Sequence, residues 1–291
     1  MLRRPYTLQK EAPFSNYEER LNRVLSYIYE NLDEDLSLDQ LAEIACMSRY
    51  HWHRVFRAMT GETLSGVVRR VRLTRAANAL VETEMPLRSI ASQVGYQNLS
   101  SFSRSFKREH GLSPKEFRQK GRKKNEFSFD RPKGKNMYPV TIKEMSDFRA
   151  AGVLHKGPYR KIGGAFYKLG SILMANSLMQ EVSELFVIYN DPPESKPDED
   201  LRSHVAVNIL SSFPRDLDGL EYFDVHGGRY VVLEHTGPYQ TLKSAYDWLY
   251  GHWLPNSGME PRDLPPLEVY INDPKKTPAA ELRTDIRLPL L

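Results

Sequence analysis

Cysteine is nearly missing from this chain: Cys46 stands alone, which excludes an intrachain disulfide and any multi-thiolate metal site. No apolar run approaches the ~20 residues that a membrane span requires. The opening stretch MLRRPYTLQKEAPF carries no hydrophobic signal core, so a cytoplasmic location without a membrane partner is expected. Phosphate-cradling glycine loops are absent as well, since Gly163-Gly164 stands by itself. His51 and His53 lie two apart and would diverge on a helix, which argues against shared metal ligation. The expectation is a protein with no metal, no cofactor and no catalytic residue.

Charge is present but unevenly spread. Residues 1–125 hold 22 Lys/Arg against 14 Asp/Glu, whereas residues 126–291 hold 19 against 23. A basic first half suits a polyanion such as double-stranded DNA, because neutralising phosphates releases counterions.

Within that half, Ile90–Arg118 reads as a short helix, a glycine turn and a basic second helix. Ile90, Ala91 and Val94 share a helical face, Gly95 can take the positive-φ turn, and Asn98 can cap the next helix. Phe102 and Phe106 repeat at i, i+4 toward a core, leaving Leu99, Ser100, Ser103 and Arg104 on another side. Small polar residues with an arginine suit a major groove. The same order occurs about fifty residues earlier: Arg54 matches Arg104, Phe56 matches Phe106 and Gly61 matches Gly111, with Cys46 where the second copy has Gly95. In the first copy Arg49, Tyr50, His53 and Arg54 are expected outward, with Trp52, Val55 and Phe56 inward. A capping pair, Ser37 and Gln40, starts the helix at Leu38. A long helix, Leu64–Glu82, joins the copies and, at ~1.5 Å per residue, nearly spans the ~34 Å of one DNA turn.

Two such units over roughly Tyr17–Gly121 resemble the DNA-binding domain of the AraC/XylS family of bacterial transcription regulators. The resemblance implies two reading helices on neighbouring major-groove segments, and it favours transcriptional activation with RNA polymerase as a partner. Arg49, Tyr50, His53, Arg54, Leu99, Ser100, Ser103 and Arg104 are the candidate DNA contacts. Nothing in the pattern demands a coiled-coil dimer, so a monomer or weak homodimer is expected.

Residues 1–16 read as a loose tail and 122–136 as a basic linker. Beyond it lies a second duplication. His155-Lys-Gly-Pro-Tyr159 recurs as His235-Thr-Gly-Pro-Tyr239, Val187-Ile-Tyr-Asn-Asp-Pro192 as Val269-Tyr-Ile-Asn-Asp-Pro274, and Leu201-Arg-Ser-His-Val205 as Leu282-Arg-Thr-Asp-Ile286. Each repeat reads strand, helix, strand, strand, with strands at Phe148–Leu154 and Arg229–Glu234 and helices near Ile162–Met179 and Thr241–Leu254. The fold class is thus an all-α domain with two helix-turn-helix units, followed by an α+β domain. In the latter, two pseudo-symmetric β-α-β-β repeats share one antiparallel sheet, with both helices on one face. His155 and His235, ahead of Gly-Pro, are expected to brace turns.

Residues 137–291 resemble the gyrase-inhibitor-like small-molecule-binding domain. That resemblance implies a small-molecule effector held between the repeats by aromatic walls and a glutamate that meets cationic ligands. Glu268 matches the glutamate, and Phe186 occupies the aligned position in the other repeat. Tyr270, Trp248, Tyr189, Phe223, Tyr222 and Trp253 are the candidate wall residues for a cationic amphiphilic or aromatic effector. Two other readings stay open: some relatives are hydrolases that use a pocket glutamate and tyrosine, and others inhibit a protein partner.

Overall fold

The computed structural model describes residues 13–120, 138–193 and 195–291. Most of the tail expected over 1–16 and the whole linker expected over 122–136 lie outside the described residues. Contact density divides the chain into two compact units, and the division cuts through a helix: residues 17–47 and 56–120 form one unit, whereas Ser48–Val55 group with the C-terminal residues. The expected boundary had kept Ser48–Val55 within the DNA-binding domain.

Among the described residues, seven helices make up the first half: α1 (Pro13–Glu30), α2 (Leu38–Ile44), α3 (Arg49–Thr60), α4 (Leu64–Glu82), α5 (Leu87–Gln93), α6 (Leu99–His110) and α7 (Pro114–Lys120). Their starts follow the local chemistry. Asn98 Oδ1 accepts from the Ser100 and Ser101 amides at 2.8 and 3.1 Å. Ser113 and Glu116 bond each other's backbone amides in a reciprocal box. The pair expected at α2 is one-sided: Ser37 Oγ accepts from the Gln40 amide, but the Gln40 side chain donates to Tyr27 Oη instead. Gly95 sits at φ +75° in the second turn, and Cys46 takes φ 52° in the first, so the cysteine copies the glycine geometry despite its β-carbon. A core of Leu73, Ala77 and Leu80 from α4, Ile90 and Ala91 from α5, Phe102 and Phe106 from α6 and Phe117 from α7 holds the second helix-turn-helix together.

The C-terminal half is an antiparallel sheet of eight strands: β1 (Val140–Met145), β2 (Phe148–Lys156), β3 (Val182–Tyr189), β4 (Arg202–Ile209), β5 (Glu221–Val225), β6 (Gly228–Thr236), β7 (Leu267–Tyr270) and β8 (Arg283–Pro289). Their order is β1-β6-β8-β7-β3-β4-β2-β5. Each repeat therefore has one strand more than expected, β1 and β5, and each of these pairs with the other repeat. Ser146 and Asp147 alone carry the chain from β1, at one edge, to β2, seventh in the order. Met145 and Phe148 are three steps apart and can lie at most ~11 Å from each other, so the sheet must curl until its ends meet. Inside the curl, Ala150, Phe186, Ala206, Tyr230, Val232 and Leu267 pack together.

The opposite face carries the helices. α8 (Gly163–Ala175) lays Ala165, Leu169 and Leu173 over Ala151, Val153, Val205 and Val207. It is shorter than expected, because Asn176 leaves the helix and Ser177 takes φ 55°. α9 (Leu242–Trp248) lies against β6 and runs on through a π turn, Leu249–Trp253, to a last helical turn at Leu254–Ser257. Paired residues on adjacent strands share a face, so one lateral row on this side can be read across six strands: Leu233, Ile286, Glu268, Val187, Val205, Val153. Both helices cover that face.

Candidate functional site: a carboxylate among tyrosines, and two reading helices

In that row five positions are aliphatic and one is a carboxylate. Glu268 is 4% exposed, and a charge so placed is costly unless polar groups meet it. Tyr189 Oη donates to Glu268 Oε2 at 3.1 Å, and Tyr270 Oη donates to the same oxygen at 3.2 Å. Tyr246, from α9, turns its hydroxyl toward the same carboxylate, sealed from solvent but short of a completed hydrogen bond. Burial pushes the Glu268 carboxyl above its ordinary range, while the tyrosine hydroxyls and the positive charge of Arg54 pull the other way. Burial, followed by the negative charge of Glu268, holds the Tyr189, Tyr270 and Tyr246 phenols well above theirs. Rings extend the wall: Phe166 and Tyr239 each meet Tyr270 edge-on at 5.4 Å, Tyr159 meets Tyr189 at 4.7 Å, and Tyr246 stacks on Tyr250 at 6.3 Å.

Of the residues expected at this site, Glu268, Tyr189 and Tyr270 are brought together. Tyr222 and Phe223 are not. They sit on β5, four strands from β7 or roughly 19 Å at ordinary strand spacing, where Tyr222 packs on Phe213 and Phe223 on His204. Trp248 packs on Tyr138 and His252 instead; two positions along an α-helix from Tyr246, it faces nearly the other way. Trp253 is half-buried in the π turn and makes no ring contact among the described residues. Missed were Tyr246 and Tyr250, an i, i+4 pair following the second Gly-Pro-Tyr block, and Tyr159 and Tyr239, which end those blocks.

The alignment of Phe186 with Glu268 is also corrected. The amides of Asn190 and Ile271 make equivalent bonds to the Arg202 and Arg283 carbonyls. Asp191 and Asn272 then accept from the amides of those two arginines. Counting back along each strand, Glu268 is equivalent to Val187 and Tyr270 to Tyr189. Phe186 faces the inside of the curl. The pseudo-twofold site is thus valine on one side and glutamate on the other.

His155 Nε2 lies 3.2 Å from the Pro158 carbonyl, and His235 Nε2 2.8 Å from Thr241 Oγ1, so both brace turns as expected. Among the described residues no group of His, Cys, Asp or Glu could hold a metal ion, and no helix is long and apolar enough to cross a membrane.

The two reading helices are presented differently. On α6, Leu99, Ser100 and Arg104 are exposed, Ser103 is half-buried, and Phe102 and Phe106 are fully buried, as expected. On α3, Trp52, Val55 and Phe56 are inward as expected, Arg49 is exposed and Tyr50 half-buried. His53, expected outward, is only 4% exposed. Arg54 is half-buried, its Cζ 4.5 Å from the centroid of the Tyr246 ring. Helical periodicity alone places these two residues opposite the Trp52–Phe56 stripe; the Tyr246 ring that meets Arg54 is remote in sequence.

Residues 138–291 match the family model described as the GyrI-like small molecule binding domain. The chain belongs to this family. Ahead of its GyrI-like domain, residues 41–120 match a helix-turn-helix domain of AraC type. The regulatory protein SoxS of Salmonella typhimurium is 32% identical over 105 residues, 36% of this chain and 98% of SoxS. The bifunctional transcriptional activator/DNA repair enzyme AdaA of Bacillus subtilis is 37% identical over 101 residues, 35% of this chain and 48% of AdaA, confined to the helix-turn-helix region. Among solved structures, the C-terminal domain of EcmrR is 20% identical with a TM-score of 0.43, over 54% of this chain and 99% of that one. The GyrI-like protein is a DNA-binding transcription regulator with a small-molecule-binding domain.

Proposed function

We propose that this regulator is ligand-responsive: a cationic effector with aromatic or amphiphilic character binds at Glu268 and biases DNA binding. Support comes chiefly from one observation, a buried carboxylate set in an aliphatic row and met by Tyr189, Tyr270 and Tyr246. A lipophilic cation gains charge attraction there and about 0.5–2 kcal/mol from each ring it faces. Titrating tetraphenylphosphonium into the full chain and following tyrosine and tryptophan emission gives saturable binding, weakened at least ~10-fold in Glu268→Gln, since one paired charge contributes ~1.5–3 kcal/mol. Equal affinity in the variant removes the carboxylate from the site.

In the cytoplasm, double-stranded DNA is read by α6 and α3. Leu99, Ser100, Ser103 and Arg104 on the first, with Arg49, Tyr50 and Arg54 on the second, supply base and backbone contacts. The activator AdaA, similar over the helix-turn-helix region, favours activation, with RNA polymerase as partner. Arg104→Ala weakens binding to a selected duplex by about 1–3 kcal/mol if the arginine reads a guanine. If it grips a phosphate, the variant instead lowers the salt slope by about one. Band shift over a range of salt separates the two, and unchanged affinity and slope take Arg104 off the interface.

A further inference from the structure

Ser48–Val55 belong to the same compact unit as the effector domain, and three side chains spaced i, i+3, i+6 tie them to it. Ser48 Oγ donates to Asp263 Oδ1 at 2.5 Å. His51 is held at both ring nitrogens, Nδ1 2.9 Å from Tyr250 Oη and Nε2 2.8 Å from the Arg262 carbonyl. A neutral imidazole satisfies that pair, donating to the carbonyl and accepting from the phenol. Arg54 comes last, 4.5 Å over the Tyr246 ring and 5.8 Å over that of Tyr250. Its Nε is sealed from solvent and has no hydrogen-bond partner among the described residues. Burial opposes the Arg54 charge, but the Tyr246 and Tyr250 hydroxyls and Glu268 outweigh it.

A cation lying on Tyr246 within the field of a buried carboxylate is the arrangement the effector site offers to a ligand. We infer that Arg54 is the site's internal occupant, a tethered cation that competes with the effector for Tyr246 and Glu268 and is withheld from DNA while it sits there. The inference rests on the reading of Glu268 as the cation-binding carboxylate. It accounts for the unequal presentation of two residues that the tandem repeat aligns, with Arg104 exposed on α6 and Arg54 covered on α3. One guanidinium cannot lie against Tyr246 and a phosphate or guanine at once. An effector that displaces it therefore favours the DNA-reading state, and DNA reciprocally favours the effector. Apparent affinity for the effector is reduced by the fraction of molecules in which Arg54 is in place.

The test uses the full chain and tetraphenylphosphonium as the probe, comparing wild type with Arg54→Ala, Asp263→Ala and Glu268→Gln. Arg54→Ala is expected to bind the cation about tenfold more tightly than wild type, because the competitor is gone. Asp263 lies outside both the carboxylate site and the DNA contacts, so Asp263→Ala tests displacement without touching either. Loss of the Ser48 bond is expected to tighten cation binding about threefold and duplex binding by a similar factor. Circular dichroism checks that each variant is folded, and Asp263→Ala carries the test should Arg54→Ala not fold. If Glu268→Gln loses the cation while Arg54→Ala and Asp263→Ala bind it as wild type does, the internal-occupant inference is overturned and the effector site stands. If Glu268→Gln binds as wild type, or no protein binds the cation, both are overturned.

Discussion

Phe106→Ala is expected to destabilise the second helix-turn-helix by about 3–5 kcal/mol, the usual cost of truncating a fully buried phenylalanine, and to abolish DNA binding. Phe106 is 0% exposed. Its ring lies 5.6 Å from that of Phe102, 5.3 Å from that of Phe117 and 4.3 Å from that of His110, and it shares a core with α4 and α5. The unit is small, so a loss of this size takes most of its stability. Hydrogen exchange should show α5–α7 opening while the curled sheet keeps its protection. Phe106→Leu, which retains most of the volume, should restore much of the loss. A Phe106→Ala protein that binds a selected duplex within twofold of wild type would show that α6 is held by something other than this core.

Gly95→Ala is expected to cost about 2–4 kcal/mol, for two reasons that add. A left-handed backbone costs an L-residue roughly 1–2 kcal/mol. A β-carbon built at Gly95 would also lie 2.5 Å from the Leu32 carbonyl oxygen and 2.7 Å from Arg72 Cζ. Those groups are already engaged, since Arg72 Nε donates to the Leu32 carbonyl at 2.8 Å and Nη2 to the Glu34 carbonyl at 2.7 Å. Making room means breaking bonds that fasten the end of α1 to α4. Gly111 supplies the control, because its φ is also +75° but nothing lies within 4 Å of its β-carbon. Gly111→Ala should therefore show the backbone cost alone. Urea denaturation of the two variants measures the difference, and equal midpoints would mean that the close contact contributes nothing.

The helical half was readable because its signals are local. Asn98 and Ser113 start helices within three residues of themselves, Phe102 and Phe106 show the buried face by spacing, and Gly95 shows the turn. Cys46 was harder to judge, since nothing local reveals that packing will force φ 52° upon it. In the sheet, three repeated blocks gave the fold class and Glu268, Tyr189 and Tyr270. Edge strands β1 and β5 escaped notice because neither alternates cleanly between buried and exposed residues, and Tyr222 and Phe223 were misplaced with them. The Phe186 alignment failed because the Asn-Asp-Pro ends of the two blocks stand 82 residues apart in sequence, whereas the hydrogen-bonded positions Asn190 and Ile271 stand 81 apart. A shift of one residue turns a strand's side chains to the other face. The contact of Arg54 with Tyr246 joins residues about two hundred positions apart, a distance no helical period can report.

The exchange of first strands has a consequence for how this receptor is made. Because β1 closes onto β6 and β5 onto β2, neither copy of the ancestral module can finish its hydrogen-bonded ladder before the other has left the ribosome. A fragment halted between them would expose an open ladder edge to any passing extended chain. Assembly must wait for contacts spanning about seventy to ninety residues, which favours slow, all-or-none maturation of the two copies together.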